Sequence, residues 1–60
     1  MADLPRDPYM LLSVVNMKLR DFYPSLDALC DDLDVAVQDV AEPLETAGYH
    51  YDRQQNAFVR

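Results

Sequence analysis

The side chains able to do chemistry in this chain are few and far apart in the sequence. A thiol nucleophile would have to be Cys30, the only cysteine, and its base His50, the only histidine. A hydroxyl nucleophile would likewise need a serine close to His50, because such pairs work only within hydrogen-bond reach. Cys30 falls on the apolar side of a helical stretch, where a thiol packs as a small hydrophobe and its ionised form is disfavoured. His50 stands in a segment that reads as strand, with acidic residues on both sides of it in the sequence. No catalytic residue is expected, and the chain is expected not to be an enzyme. One cysteine and one histidine fall short of a four-ligand zinc site. Asp31, Asp32 and Asp34 lack the alternating oxygens, the turn glycine and the closing glutamate of a calcium loop, so they read as a solvated acidic face. Gly48 is the single glycine, which excludes a glycine-rich phosphate loop. No metal, cofactor or small-molecule ligand is expected.

The elements that would position these residues centre on residues 25–44, SLDALCDDLDVAVQDVAEPL. Leu26, Leu29, Cys30 and Leu33 recur at helical spacing, and after a break at Asp34-Val35 the set Val37, Val40, Ala41 and Leu44 does the same. Two apolar stripes joined by so short a corner must face each other, which predicts a helix-turn-helix. Ser25 supplies the N-cap of the first of these helices, and Pro24 biases Tyr23 away from helical angles. The start of the next is open between Ala36 or Val37 and a later one capped by Asp39. An early start leaves Pro43 in the interior, where it removes one hydrogen bond; a late start puts it in the first turn. Gly48 ends that helix as a left-handed C-cap.

Ahead of this unit, Asp7-Pro8 is a strong helix start: an aspartate cap followed by a proline at the first position predicts a helix from Pro8 to about Asp21. Residues 1–6, with Pro5, are not expected to be helical, and Leu4 is expected to tuck onto the body. The first helix carries two apolar stripes. Leu11, Leu12, Val15, Leu19 and Phe22 form the one expected to cover the other helices. Met10, Val14 and Met17 form a second on another side, leaving Ser13, Asn16 and Arg20 as the polar remainder. Either the C-terminal segment covers that second stripe through Tyr49, Tyr51 and Phe58, or another molecule does, a role adaptable methionine suits. That segment reads as a hairpin with a polar turn at Arg53-Gln54-Gln55-Asn56, Tyr51 opposite Phe58, and His50, Asp52, Ala57 and Val59 on the other face. On the second helix Asp27 sits where the helix dipole welcomes it; Asp31 and Asp32 sit at the unfavourable end, and Arg20 is the cation expected to relieve them. The fold class is therefore mainly α: a three-helix, helix-turn-helix-like domain with a small winged-helix-like β-hairpin.

Sixty residues make one small domain, which buries only about 60% of the surface its unfolded chain exposes. Half the residues are hydrophobic, which argues against disorder despite a formal charge of -6. A lone cysteine forbids a disulfide within the chain. The start MADLPRDP does not read as a signal peptide and no run is long enough to span a membrane, so the expected location is cytoplasmic. Eleven acidic residues against five basic ones disfavour attraction to nucleic acid or anionic lipid.

A helix-turn-helix nevertheless invites a test for DNA recognition, in which the second helix of the pair enters the major groove. Its exposed positions here are Gln38, Asp39, Glu42 and Glu45. Each carboxylate set near a phosphate costs about 1 kcal/mol even under water-like screening. Gln38 is able to read an adenine and Arg53 to touch a backbone, but the basic set is thin.

The run DPYMLLSVVNMKLRDFYPSLDALCDDLD, followed by GYHYD and NAFV, resembles a family of short bacterial proteins grouped as domain of unknown function 4250. The likeness covers nearly the whole chain and is carried by the contiguous run from Met10 to Asp34. It implies a small bacterial protein and carries no functional residue with it. The expected function is a non-enzymatic protein-interaction or self-association module that uses Met10, Val14 and Met17, with a protein partner or a homodimer as its occupant. The alternative is a DNA-binding transcriptional regulator that uses Gln38 and Arg53.

Overall fold

The computed structural model describes residues 4–60. Three helices, α1 (Pro8–Asp21), α2 (Leu26–Leu33) and α3 (Val37–Thr46), precede a hairpin of β1 (His50–Asp52) and β2 (Ala57–Val59). The first three positions of the non-helical start expected for residues 1–6 lie outside the described residues. Leu4 does pack against the core.

Most of the helix ends have a local reason. Asp7 caps α1 by accepting from the Met10 amide at 3.1 Å, and Pro8 occupies the first helical position, where no amide hydrogen is required. Ser25 caps α2 by accepting from the Ala28 amide at 3.1 Å. The corner between α2 and α3 turns on Asp34, which is left-handed (φ 57, ψ 47). This conformation lets the Asp34 amide reach the Asp31 carbonyl at 3.3 Å and the Val35 amide reach that of Cys30 at 3.0 Å. The same pair of bonds closes α3, where Gly48 (φ 98) donates to Glu45 at 3.0 Å and Tyr49 to Leu44 at 2.9 Å.

Of the two starts open for α3, the early one holds: the helix begins at Val37, Asp39 lies in its first turn, and no side chain caps it. Pro43 is therefore interior, and the Asp39 carbonyl receives no helical bond from it.

Leu11, Val15 and Leu19 of α1, Leu26, Leu29 and Cys30 of α2, Val40 and Leu44 of α3, and Phe58 of β2 form one buried core. Leu12, Leu33 and Ala41 of the expected inner stripes are partly buried against it, and two others, Phe22 and Val37, are exposed. Phe22 is 68% exposed because α1 ends at Asp21 and Phe22 adopts φ -125, so its side chain no longer follows Leu19 around the helix. Val37 is 39% exposed because, as the first residue of α3, it sits at the open mouth of the corner, ahead of the turn that packs on α2.

The hairpin has the expected antiparallel register, His50 with Val59, Tyr51 with Phe58 and Asp52 with Ala57. The Tyr51 and Phe58 rings stack tilted with centroids 5.6 Å apart. A two-stranded hairpin is marginal in water on its own, so its attachment matters. Asn16 on α1 donates through Nδ2 to the Phe58 carbonyl at 3.1 Å and accepts through Oδ1 from the Phe58 amide at 2.8 Å. In this way one amide side chain stands in for a third strand. Asn56, left-handed at φ 52, donates to the Leu19 and Tyr23 carbonyls at 3.0 Å each and thereby caps the end of α1. The Tyr51 hydroxyl donates to Asn56 Oδ1 at 2.6 Å and accepts from the Leu26 amide at 3.3 Å, tying the hairpin to the start of α2 as well.

Candidate functional site

The groups with nucleophile or base character are kept apart by the fold. Cys30 is buried, and burial, followed by the nearby carboxylates Asp27 and Asp39, pushes its thiol pKa up. A thiol held protonated in this way is a packing group. His50 is exposed on β1, and no hydrogen bond joins it to Cys30 or to a serine among the described residues. Among those residues no group of three histidine, cysteine or carboxylate side chains is placed to hold a metal ion.

The helix-turn-helix presents a surface of one sign. Residues 26–46 carry seven carboxylates and no lysine, arginine or histidine. Gln38, Asp39, Glu42 and Glu45 are all exposed, as expected from their spacing. Arg53 is exposed in the hairpin turn, where it borders a hollow with Ser25, Leu26, Asp27, Val37 and Tyr51. Gln38 does not border that hollow, although its neighbour Val37 does. Arg20 does not reach Asp31 or Asp32. It forms a two-pronged pair with its neighbour Asp21, Nε to Oδ1 at 3.0 Å and Nη2 to Oδ2 at 3.1 Å, which holds the Asp21 carboxyl below its ordinary pKa. Adjacency in sequence makes that contact available at little entropic cost, whereas α2 lies across a turn. Asp32 instead accepts from the Tyr23 hydroxyl at 2.5 Å, and this bond, with smaller help from burial and charge, holds the phenol pKa up.

The outward side of α1 is different in kind. Met10 is 60% and Met17 39% exposed, with Val14 half-buried between them. Asn16 seats the hairpin at a neighbouring edge of the helix, so Phe58 goes into the core and leaves the methionines uncovered. Tyr9, near the start of α1, and Phe22, just past its end, are also exposed aromatics. Phe22 could not be recognised in advance, because helical periodicity assigned it to the core. Met17 also forms part of the wall of a groove between α1 and the hairpin turn, bordered by Ser13, Asn16, Arg20, Gln55 and Ala57.

The family model described as Domain of unknown function (DUF4250) matches residues 5–58 of the chain. The chain belongs to this family. The match runs from Pro5, ahead of α1, to Phe58 in β2, so the DUF4250 unit takes in all three helices and the seated hairpin. No curated protein and no solved structure matches the chain. None of the described helices of this DUF4250 domain is long and apolar enough to cross a membrane.

Proposed function

We propose that this DUF4250 domain is a non-enzymatic, cytoplasmic protein-interaction module whose contact surface is the outward side of α1. One observation carries the reading: Met10 and Met17 are exposed on a helix whose opposite side, Leu11, Val15 and Leu19, is fully committed to the core. Flexible thioethers in such a position adapt their shape to a partner's surface and contribute apolar area to the contact. The non-enzymatic part of the reading rests on a buried, protonated thiol and a histidine with no nucleophile bonded to it.

A photo-crosslinking residue placed at position 10 in the living cell tests this, with the same residue at position 38 as control. Covalent adducts from position 10, and far fewer from position 38, are the expected result. Adducts from position 38 alone, or from neither, would overturn the reading.

DNA recognition is the second reading, favoured by the helix-turn-helix itself and by exposed Gln38 and Arg53. Weighing against it, Asp39, Glu42 and Glu45 share the exposed surface of α3 and Asp27 shares the hollow with Arg53. A gel shift with mixed genomic fragments at low salt, the condition most generous to charge-driven binding, decides it: no shift is expected, and a shift would promote this reading over the first.

A further inference from the structure

We infer that the occupant of the α1 surface is a second copy of this chain, docked antiparallel about a two-fold axis that passes between the two α1 helices at the level of Ser13 and Val14. The inference rests on the interaction-module reading and adds the partner to it. Met10 and Met17 lie about two turns apart on the outward side of α1 and equally far from that midpoint, so the axis sets Met10 of each copy against the partner's Met17.

The flanks of the stripe are complementary under the same operation. At about 100° per residue, Asp7, Val14, Lys18 and Asp21 line one flank and Tyr9, Ser13 and Arg20 the other, with Asp21 neutralised by its pair to Arg20. In an antiparallel two-fold pair each flank meets its own counterpart running the other way. Asp7 then lies opposite the partner's Lys18, and exposed Tyr9 opposite the partner's Arg20, an ion pair and a cation–π contact. The helix dipoles also oppose, with Lys18 in the last turn of each α1 beside the other's N-terminus. A parallel pair lacks the match of Asp7 to the partner's Lys18 and aligns the dipoles.

Size sets the strength. A standard interface takes about 800 Å2 from each partner, which would be a large share of the 4261 Å2 surface of the described chain. One 14-residue helix face supplies less, so the dimer is a weak one, with a dissociation constant roughly micromolar or above.

Sedimentation equilibrium on the full chain from micromolar to millimolar concentration, combined with cysteine cross-linking under mild oxidation, tests the inference. Buried Cys30 leaves the background silent. Ser13→Cys, beside the axis, is expected to yield a disulfide-linked dimer. Met10→Cys, about 10 Å along the helix from its own counterpart, is expected to yield none. Met10→Gln with Met17→Gln is expected to raise the dissociation constant at least tenfold without changing the melting temperature, since both side chains are exposed.

A monomer at every concentration overturns the second copy as occupant; adducts from position 10 to a different protein would then still uphold the interaction-module reading. A dimer in which Met10→Cys cross-links and Ser13→Cys does not overturns the antiparallel arrangement. Loss of the photo-adducts at position 10 removes the underlying reading itself, so the two failures are distinct.

Discussion

Replacing Asn56 by aspartate probes the network that seats the hairpin. Size is preserved, and the left-handed backbone at φ 52 remains acceptable because aspartate visits that region much as asparagine does. Only the amide nitrogen is lost. It donates to the Leu19 and Tyr23 carbonyls, and an oxygen in its place sets an anion beside two acceptors. Two lost bonds at about 1 kcal/mol each, with a repulsion of similar size, give an expected loss of about 2 to 4 kcal/mol at neutral pH. A chain of this length has a total stability of about 3 to 9 kcal/mol, so the thermal midpoint should fall by roughly 10 to 25 °C.

The sign of the pH dependence follows from the surroundings. Partial burial and the two carbonyls raise the folded pKa of the introduced carboxyl above its unfolded value, and the single donor, the Tyr51 hydroxyl, opposes this only in part. The folded variant therefore binds the proton more tightly than the unfolded one, and Asn56→Asp recovers stability relative to the native chain as the pH falls through that raised pKa. Urea melts followed by far-UV circular dichroism, run on both proteins at neutral and at mildly acidic pH, measure the difference. Asn56→Gly keeps the backbone freedom without a carboxyl, and it should lose comparable stability with no recovery in acid. A loss for Asn56→Asp below about 0.5 kcal/mol, the floor for one hydrogen bond, would refute the role given to this side chain, as would an offset that does not change with pH.

Three further outcomes are expected. Pro43→Ala restores the bond to the Asp39 carbonyl inside α3 and should stabilise the domain by about 1 kcal/mol, less than the full propensity difference because Pro43 is half-buried at the edge of a hollow it shares with Leu4 and Leu11; a lowered melting temperature would contradict an interior proline. Asp34→Gly relieves a left-handed residue and removes a carboxylate from the negative end of α2, and should stabilise by about 0.5 to 1.5 kcal/mol in denaturant melts; a loss would mean that the Asp34 side chain has a role in the corner. Tyr23, whose folded pKa is raised by its bond to Asp32, contributes stability that is present below its unfolded pKa and is lost as the pH rises through the folded one. Asp32→Asn should lower the Tyr23 midpoint in an NMR titration, and an unmoved midpoint would show that the bond is not formed in solution.

What was legible in the sequence was whatever the chain decides within about one turn. Asp7-Pro8, Ser25 and Gly48 mark helix ends because a cap answers to backbone groups two or three residues away. Tyr51 and Phe58 set the hairpin register by alternation, and the surplus apolar width of α1 was plain, although whether the hairpin would cover Met10 and Met17 was not. The surplus of carboxylates on residues 26–46 needed only counting.

The remainder was decided by the assembled fold. Phe22 left the core because its helix stopped one residue short of it, and Arg20 turned to Asp21 because a neighbour within reach outcompetes a carboxylate across a turn. Asn16 and Asn56 read in the sequence as polar surface and turn residues. They hold the hairpin through partners 42, 37 and 33 residues away. An amide has no periodic signature, since its four hydrogen-bonding sites suit almost any backbone; only when the helices have met does it become clear which carbonyl and which amide are left for it to satisfy.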